Sequence, residues 1–134
     1  MKTLLKVAAI ALTAMLPLIE SVQAAEGANW KIGRVYNRFV CNACHRQDND
    51  RVVSPYERNK ADWKAYFAAD AHDATGKSNP SALYYMSTAY RQTIKDKNKA
   101  AAKFLKMSDE EMTANVVGFY VRGAKDSDTP ARCQ

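Results

Sequence analysis

The sequence has only two histidines, His45 and His72, in 134 residues. With so few, and with no serine–histidine–aspartate arrangement, little is left to relay protons, so acid–base hydrolytic chemistry is not expected. Glycine occurs five times and proline four times, and no glycine-rich phosphate loop is present, which excludes a nucleotide cradle of that kind. Alternating polar and apolar residues are rare, so strands are disfavoured. Neither an internal repeat nor a low-complexity tract is seen. Beyond residue 24 no apolar run approaches the roughly 18 to 20 residues of a membrane-spanning helix. Cysteines number three, which cannot all pair, so a disulfide framework does not explain them.

What is there begins with an export pattern. Lys2 and Lys6 precede an apolar run from Val7 to Ile19, and Ser21-Val22-Gln23-Ala24 supplies small residues at the positions a signal peptidase requires. The run is short for a retained anchor, and Pro17 interrupts it. The reading is a signal peptide over residues 1–24, cleaved after Ala24, and a single domain over residues 25–134 in the periplasm. The whole chain carries +6. Losing Lys2, Lys6 and Glu20 leaves 18 basic and 13 acidic side chains on the mature domain. That surface suits acidic protein partners, and export argues against nucleic acid.

Periodicity predicts an all-α domain. A first helix is expected from Asn29 to Cys44, with Trp30, Gly33, Tyr36 and Val40 on one face. A second should run from Lys60 to Ala71 through Trp63, Tyr66 and Phe67. A break over Asp73–Ser78, containing Gly76, leads to a third helix starting at Pro80 behind an Asn79 cap. That helix would align Leu83, Met86, Tyr90 and Ile94, and continue as a short helix over Ala100–Lys106. The last helix has the plainest signals. Ser108 and Glu111 form a capping box, Met107 and Met112 occupy the staple positions, and Asp109, Glu110 and Glu111 complement the dipole. Val116, Phe119 and Tyr120 give its apolar side and Gly123 its stop. A polar tail follows over residues 125–134.

One motif carries chemistry. Residues 41–45 read Cys-Asn-Ala-Cys-His, the Cys-x-x-Cys-His pattern of covalent haem attachment. Two intervening residues place both sulfurs to form thioethers with the two vinyl groups on one porphyrin edge, and the adjacent imidazole then reaches the iron. A zinc site needs four ligands, and only His72 and Cys133 remain, both distant in sequence. A redox dithiol of the thioredoxin kind needs an α/β pattern, which is absent. Cys41 and Cys44 are therefore the expected attachment points of one haem c, and His45 its proximal iron ligand.

With these residues in view, the chain resembles a small class I cytochrome c. Gly33, eight residues before Cys41, matches the small residue in that family's first helix; Asn37 stands where the family usually has an aromatic. Pro55 is similar to the proline whose carbonyl orients the proximal histidine. Val116-Val117-Gly118-Phe119-Tyr120 resembles the closing helix, which crosses the first near the glycine. The resemblance implies a helical domain wrapped around one covalent haem, carrying single electrons between redox proteins rather than acting as an enzyme. It usually supplies a methionine as sixth iron ligand. Met86, 41 residues after His45, is the leading candidate here. His72 and Asn98 are the others, and Met107 reads as a helix staple. An open or weak sixth position would make a gas-binding sensor, and a role as the haem subunit of a periplasmic oxidoreductase is the further alternative. Lys95, Lys97, Lys99, Lys103 and Lys106 form a basic run that either steers an acidic partner or is a solvated face. Cys133 is left over and suggests a disulfide with another molecule.

Overall fold

The computed structural model describes residues 27–72 and 78–131. The expected signal peptide, the break at Asp73 and Gly76, and Cys133 lie outside the described residues. Among the described residues all regular structure is helical, and no helix is long and apolar enough to cross a membrane.

A nearly continuous helical path leads from Trp30 to Asn49. It consists of α1 (Trp30–Tyr36), a π-helical turn (Asn37–Cys41) and α2 (Asn42–Asn49). Asn29 caps α1, its side chain accepting from the Lys31 N–H at 3.1 Å. The path overruns the expected end at Cys44 and stops at Asp50, which is left-handed (φ 50°, ψ 33°) and donates its N–H to the Arg46 carbonyl. Aspartate tolerates that conformation better than most residues. Next come a 3₁₀ turn (Pro55–Glu57), α3 (Lys60–Ala68), a 3₁₀ turn (Tyr84–Met86), α4 (Thr88–Ile94), α5 (Lys99–Lys103) and α6 (Asp109–Gly123).

The most extensive helix pair is α1 with α6, and α3 packs on α6 as well. Gly33 is what allows the first contact. A β-carbon at Gly33 would stand 2.7 Å from the carbonyl carbon of Asn115 and 2.8 Å from the Phe119 β-carbon. The expected crossing of the closing helix at that glycine is thus present. The core between these helices holds Tyr36, Trp63, Phe67, Val116 and Tyr120, all buried. Trp63 and Tyr120 meet at 4.4 Å between ring centres.

The segment from Pro80 departs from expectation. No helix starts there; α4 begins eight residues later, capped by Ser87, whose hydroxyl accepts from the Tyr90 N–H at 3.1 Å. The cause is Asp70. Its carboxylate accepts from the Ser81 hydroxyl at 2.8 Å and from the Leu83 N–H at 2.7 Å, which holds the backbone in turns where a helix would otherwise form. Met86 falls in the 3₁₀ turn, 2 % exposed. Two of the stop and cap signals also act differently from expectation. Ser108 caps α6 through the Glu111 N–H at 3.1 Å, but the reciprocal capping box forms at Ser54 and Glu57. Gly123 ends α6 by allowing Pro55 to approach, since a β-carbon there would lie 2.8 Å from the proline's. The start of the tail is tied down: Lys125 donates to the Arg58 carbonyl and Ala131 to the Gly123 carbonyl.

Candidate haem site

Cys41 closes the π-helical turn, and Cys44 and His45 follow on the first turn of α2. In an α-helix, positions five apart do not share a face. Here the Asn42 N–H donates to the Asn37 carbonyl, an i to i+5 bond, and the wider turn brings both asparagines inward, 1 % and 3 % exposed. Both amides donate to the same acceptor, the Val53 carbonyl, at 3.4 Å and 3.2 Å. The Asn42 side-chain oxygen takes the Val53 N–H at 2.7 Å, and the Asn37 oxygen takes the Tyr120 hydroxyl at 2.6 Å. The residue between the two cysteines is thereby clamped to the loop that follows the motif. Wide turns of this kind recur at functional sites.

Both thiols are free, Cys41 half-buried and Cys44 exposed. Burial pushes the Cys41 thiol up to about 12. Cys44 is also raised, by partial burial and then by Asp48, whose carboxylate accepts from its sulfur at 3.2 Å. His45 is half-buried. Burial draws its imidazole below the ordinary histidine range, with His72 and Arg51 next in effect. A neutral imidazole is the form that can donate a lone pair to a metal.

Opposite the motif stands an aromatic wall. The rings of His45 and His72 lie 5.8 Å apart, tilted by 56°. His72 in turn contacts Tyr85 at 4.8 Å, and Tyr85 contacts Tyr90 at 4.9 Å. Burial pushes the Tyr90 phenol up to about 12, and Cys44 and Cys41 are near enough to add to that shift. Tyr36, from α1, donates its hydroxyl to the Tyr85 carbonyl at 2.6 Å. Motif and wall thus bring two thiols, two imidazoles and tyrosine rings into one neighbourhood.

The remaining candidates sit elsewhere. Asn98 caps α5, accepting from the N–H groups of Ala100 and Ala101 at 3.1 Å, and donates to the Phe39 carbonyl at 2.7 Å. Its side chain is committed on both ends. The Met107 sulfur takes the Asn115 amide at 3.5 Å. Met86 lies in the core cluster. The Pro55 carbonyl, expected at the proximal histidine, accepts from the Trp63 indole N–H at 2.7 Å. Lys97, Lys99, Lys103 and Lys106 are exposed, whereas Lys95 is half-buried beside Asp96.

Sequence reasoning missed the two buried asparagines, and it missed Arg91. This arginine is fully buried, and its Nη2 donates to the Met107 carbonyl and the Thr88 hydroxyl at 2.7 Å each, with Asp109 at 3.3 Å. Bonds from the Thr88 side chain and backbone, and then Arg91, hold the Asp109 carboxyl below the usual range. Together these bonds tie the start of α4 to the start of α6. A helical stripe of Leu83, Tyr90 and Ile94 gives no hint that the neighbouring arginine turns inward.

The donor set of two thiols beside an imidazole is the one the Cys-x-x-Cys-His pattern predicts. Among the described residues no group of three or more histidine, cysteine or acidic side chains converges on one point, whereas a sulfur pair beside an imidazole is the set a covalent haem uses. His72 adds an orphan, since among the described residues its buried Nδ1 has no hydrogen-bond partner. Comparison with protein-family models, curated proteins and solved structures finds no match for this chain.

Proposed function

We propose that this chain is an exported monohaem c-type cytochrome, working as a one-electron carrier between redox proteins in the periplasm. The observation that supports it most is the pairing of free Cys41 and Cys44 with a neutral, half-buried His45 beneath a wall of His72 and tyrosine rings. The haem supplies the redox chemistry, one electron at a time at iron; the protein supplies attachment, ligation and cover. Cys41 and Cys44 would hold the haem through thioethers, and His45 would bind its iron. Asn42, clamped on Val53, keeps the attachment segment from unwinding, so that His45 stays aimed. The tyrosines would help exclude water from a haem held beside them, and Cys44 is exposed to solvent. The exposed lysines between α4 and α6 suit an acidic docking partner.

Expression alongside a haem-ligation system tests this. The mature chain should gain the mass of one haem and give a haem c spectrum that survives acid–acetone extraction. Cys41→Ala with Cys44→Ala should abolish covalent attachment. A colourless protein of bare polypeptide mass would refute the proposal.

A further inference from the structure

We infer that His72 is the second axial ligand, so that the iron sits between two imidazoles and the expected methionine takes no part. This rests on the haem reading above and goes beyond it by naming the ligand set, and with it the low-potential class of carrier.

The spacing supports it first. A first-row metal binds an imidazole nitrogen at about 2 Å, and that nitrogen lies about 1 Å from the ring centre, so two imidazoles sharing one ion stand roughly 6 Å apart. His45 and His72 stand 5.8 Å apart. Rings on opposite sides of an ion can turn about their common axis, so their 56° tilt is compatible with ligation.

The second support is the orphan nitrogen. Buried polar atoms without partners are rare and call for an explanation such as an ion or ligand at the site. Among the described residues the Nδ1 of His72 is such an atom, and its ring lies 5.8 Å from that of His45.

The third support is how His72 is held, by two chain segments stitched together. The His72 N–H donates to the Pro80 carbonyl at 2.7 Å, and just before it the Asp70 carboxylate takes Ser81 and Leu83. Asp70 adopts a left-handed conformation (φ 48°) to make this turn. On the other side, the Asn79 N–H donates to the Tyr85 hydroxyl at 2.6 Å, and Tyr85 lies against the His72 ring. A solvated surface histidine needs no such frame. A metal ligand does, because a ring fixed in advance loses less freedom on binding.

Two imidazoles give iron a lower potential than an imidazole and a thioether, and they leave no open position for a gas. The carrier would serve strongly reducing partners, and a sensor role would be closed to it.

The test uses the purified haem-loaded protein. Its ferric near-infrared magnetic circular dichroism and electron paramagnetic resonance should show a low-spin bis-imidazole iron, and the ferrous form should ignore carbon monoxide. His72→Ala should become predominantly high-spin, bind carbon monoxide promptly, and return to low-spin when free imidazole is added. Met86→Leu should leave the wild-type spectrum unchanged. A methionine-type charge-transfer band lost in Met86→Leu would overturn the inference, as would a high-spin wild type or a low-spin His72→Ala. Each of those results still carries covalent haem and so leaves the broader proposal standing. Absence of haem altogether overturns the broader proposal instead.

Discussion

Gly33→Ala is the most informative single perturbation, because one added carbon meets backbone it cannot push aside. The new β-carbon would lie 2.7 Å from the Asn115 carbonyl carbon and 2.8 Å from the Phe119 β-carbon, where carbon pairs ordinarily rest about 3.5 to 4.0 Å apart. Neither obstacle is the far end of a flexible side chain, so α1 and α6 must separate by about 1 Å. Overpacking costs about 1 to 3 kcal/mol, sometimes more, and parting the main helix pair also loosens contacts around Tyr36 and Val116. Against this, alanine gains up to about 1 kcal/mol of helix propensity. The expected net loss is about 1 to 2 kcal/mol, a sizeable share of the roughly 5 to 15 kcal/mol that holds a domain together. In a thermal melt followed by circular dichroism, the midpoint should fall by about 10 °C. Gly118→Ala is the control. Among the described residues its β-carbon would meet only the Ala28 β-carbon, at 3.2 Å, so the same propensity gain should leave stability unchanged or slightly higher. A Gly33→Ala protein as stable as wild type would refute the reasoning, as would equal losses at both glycines.

Tyr120→Phe keeps the ring against Trp63 and removes only the bond to Asn37. The stranded buried acceptor should cost about 1 to 3 kcal/mol, read as a lower urea midpoint; an unchanged midpoint would show that the bond contributes nothing. His45 predicts a pH dependence in the haem-free Cys41→Ala, Cys44→Ala chain. Because burial depresses its folded value, the unfolded chain takes up a proton first as pH falls through about 6.5. Stability is then whole above that pH and declines toward the lower folded value. His45→Asn should flatten the urea midpoint between about pH 7.5 and 5.5, and equal slopes in the two proteins would refute the assignment.

How much of this was legible depended on the range of the forces involved. The last helix could be read because its signals are local: Ser108 at the cap, three acidic residues behind it, and apolar residues at helical spacing. Gly33 could be read because its distance from Cys41 and the closing Val116–Tyr120 stretch together imply a crossing. The stretch from Pro80 to Ser87 could not, since Asp70, eleven residues before Ser81, competes for its backbone. Helical periodicity counts threes and fours, so two asparagines five apart looked unrelated until the π turn aligned them. The nearness of His72 to His45 arises only when separate turns are stitched together, and nothing in the spacing of those two residues encodes it.

The burial of Cys41 sets an order of events. Joining a haem would require each sulfur to add as its thiolate to a vinyl carbon, the neighbouring carbon taking a proton, and a thiol pushed to about 12 is almost wholly protonated at neutral pH. Cys44 is exposed while Cys41 is half-buried at the end of the wide turn. Under the haem reading, cofactor loading would be favoured in the unpacked chain, where that thiol is not desolvated. Maturation becomes a race against collapse, in which a mutation that hastens bare folding could lower the yield of finished cytochrome while making the polypeptide sturdier.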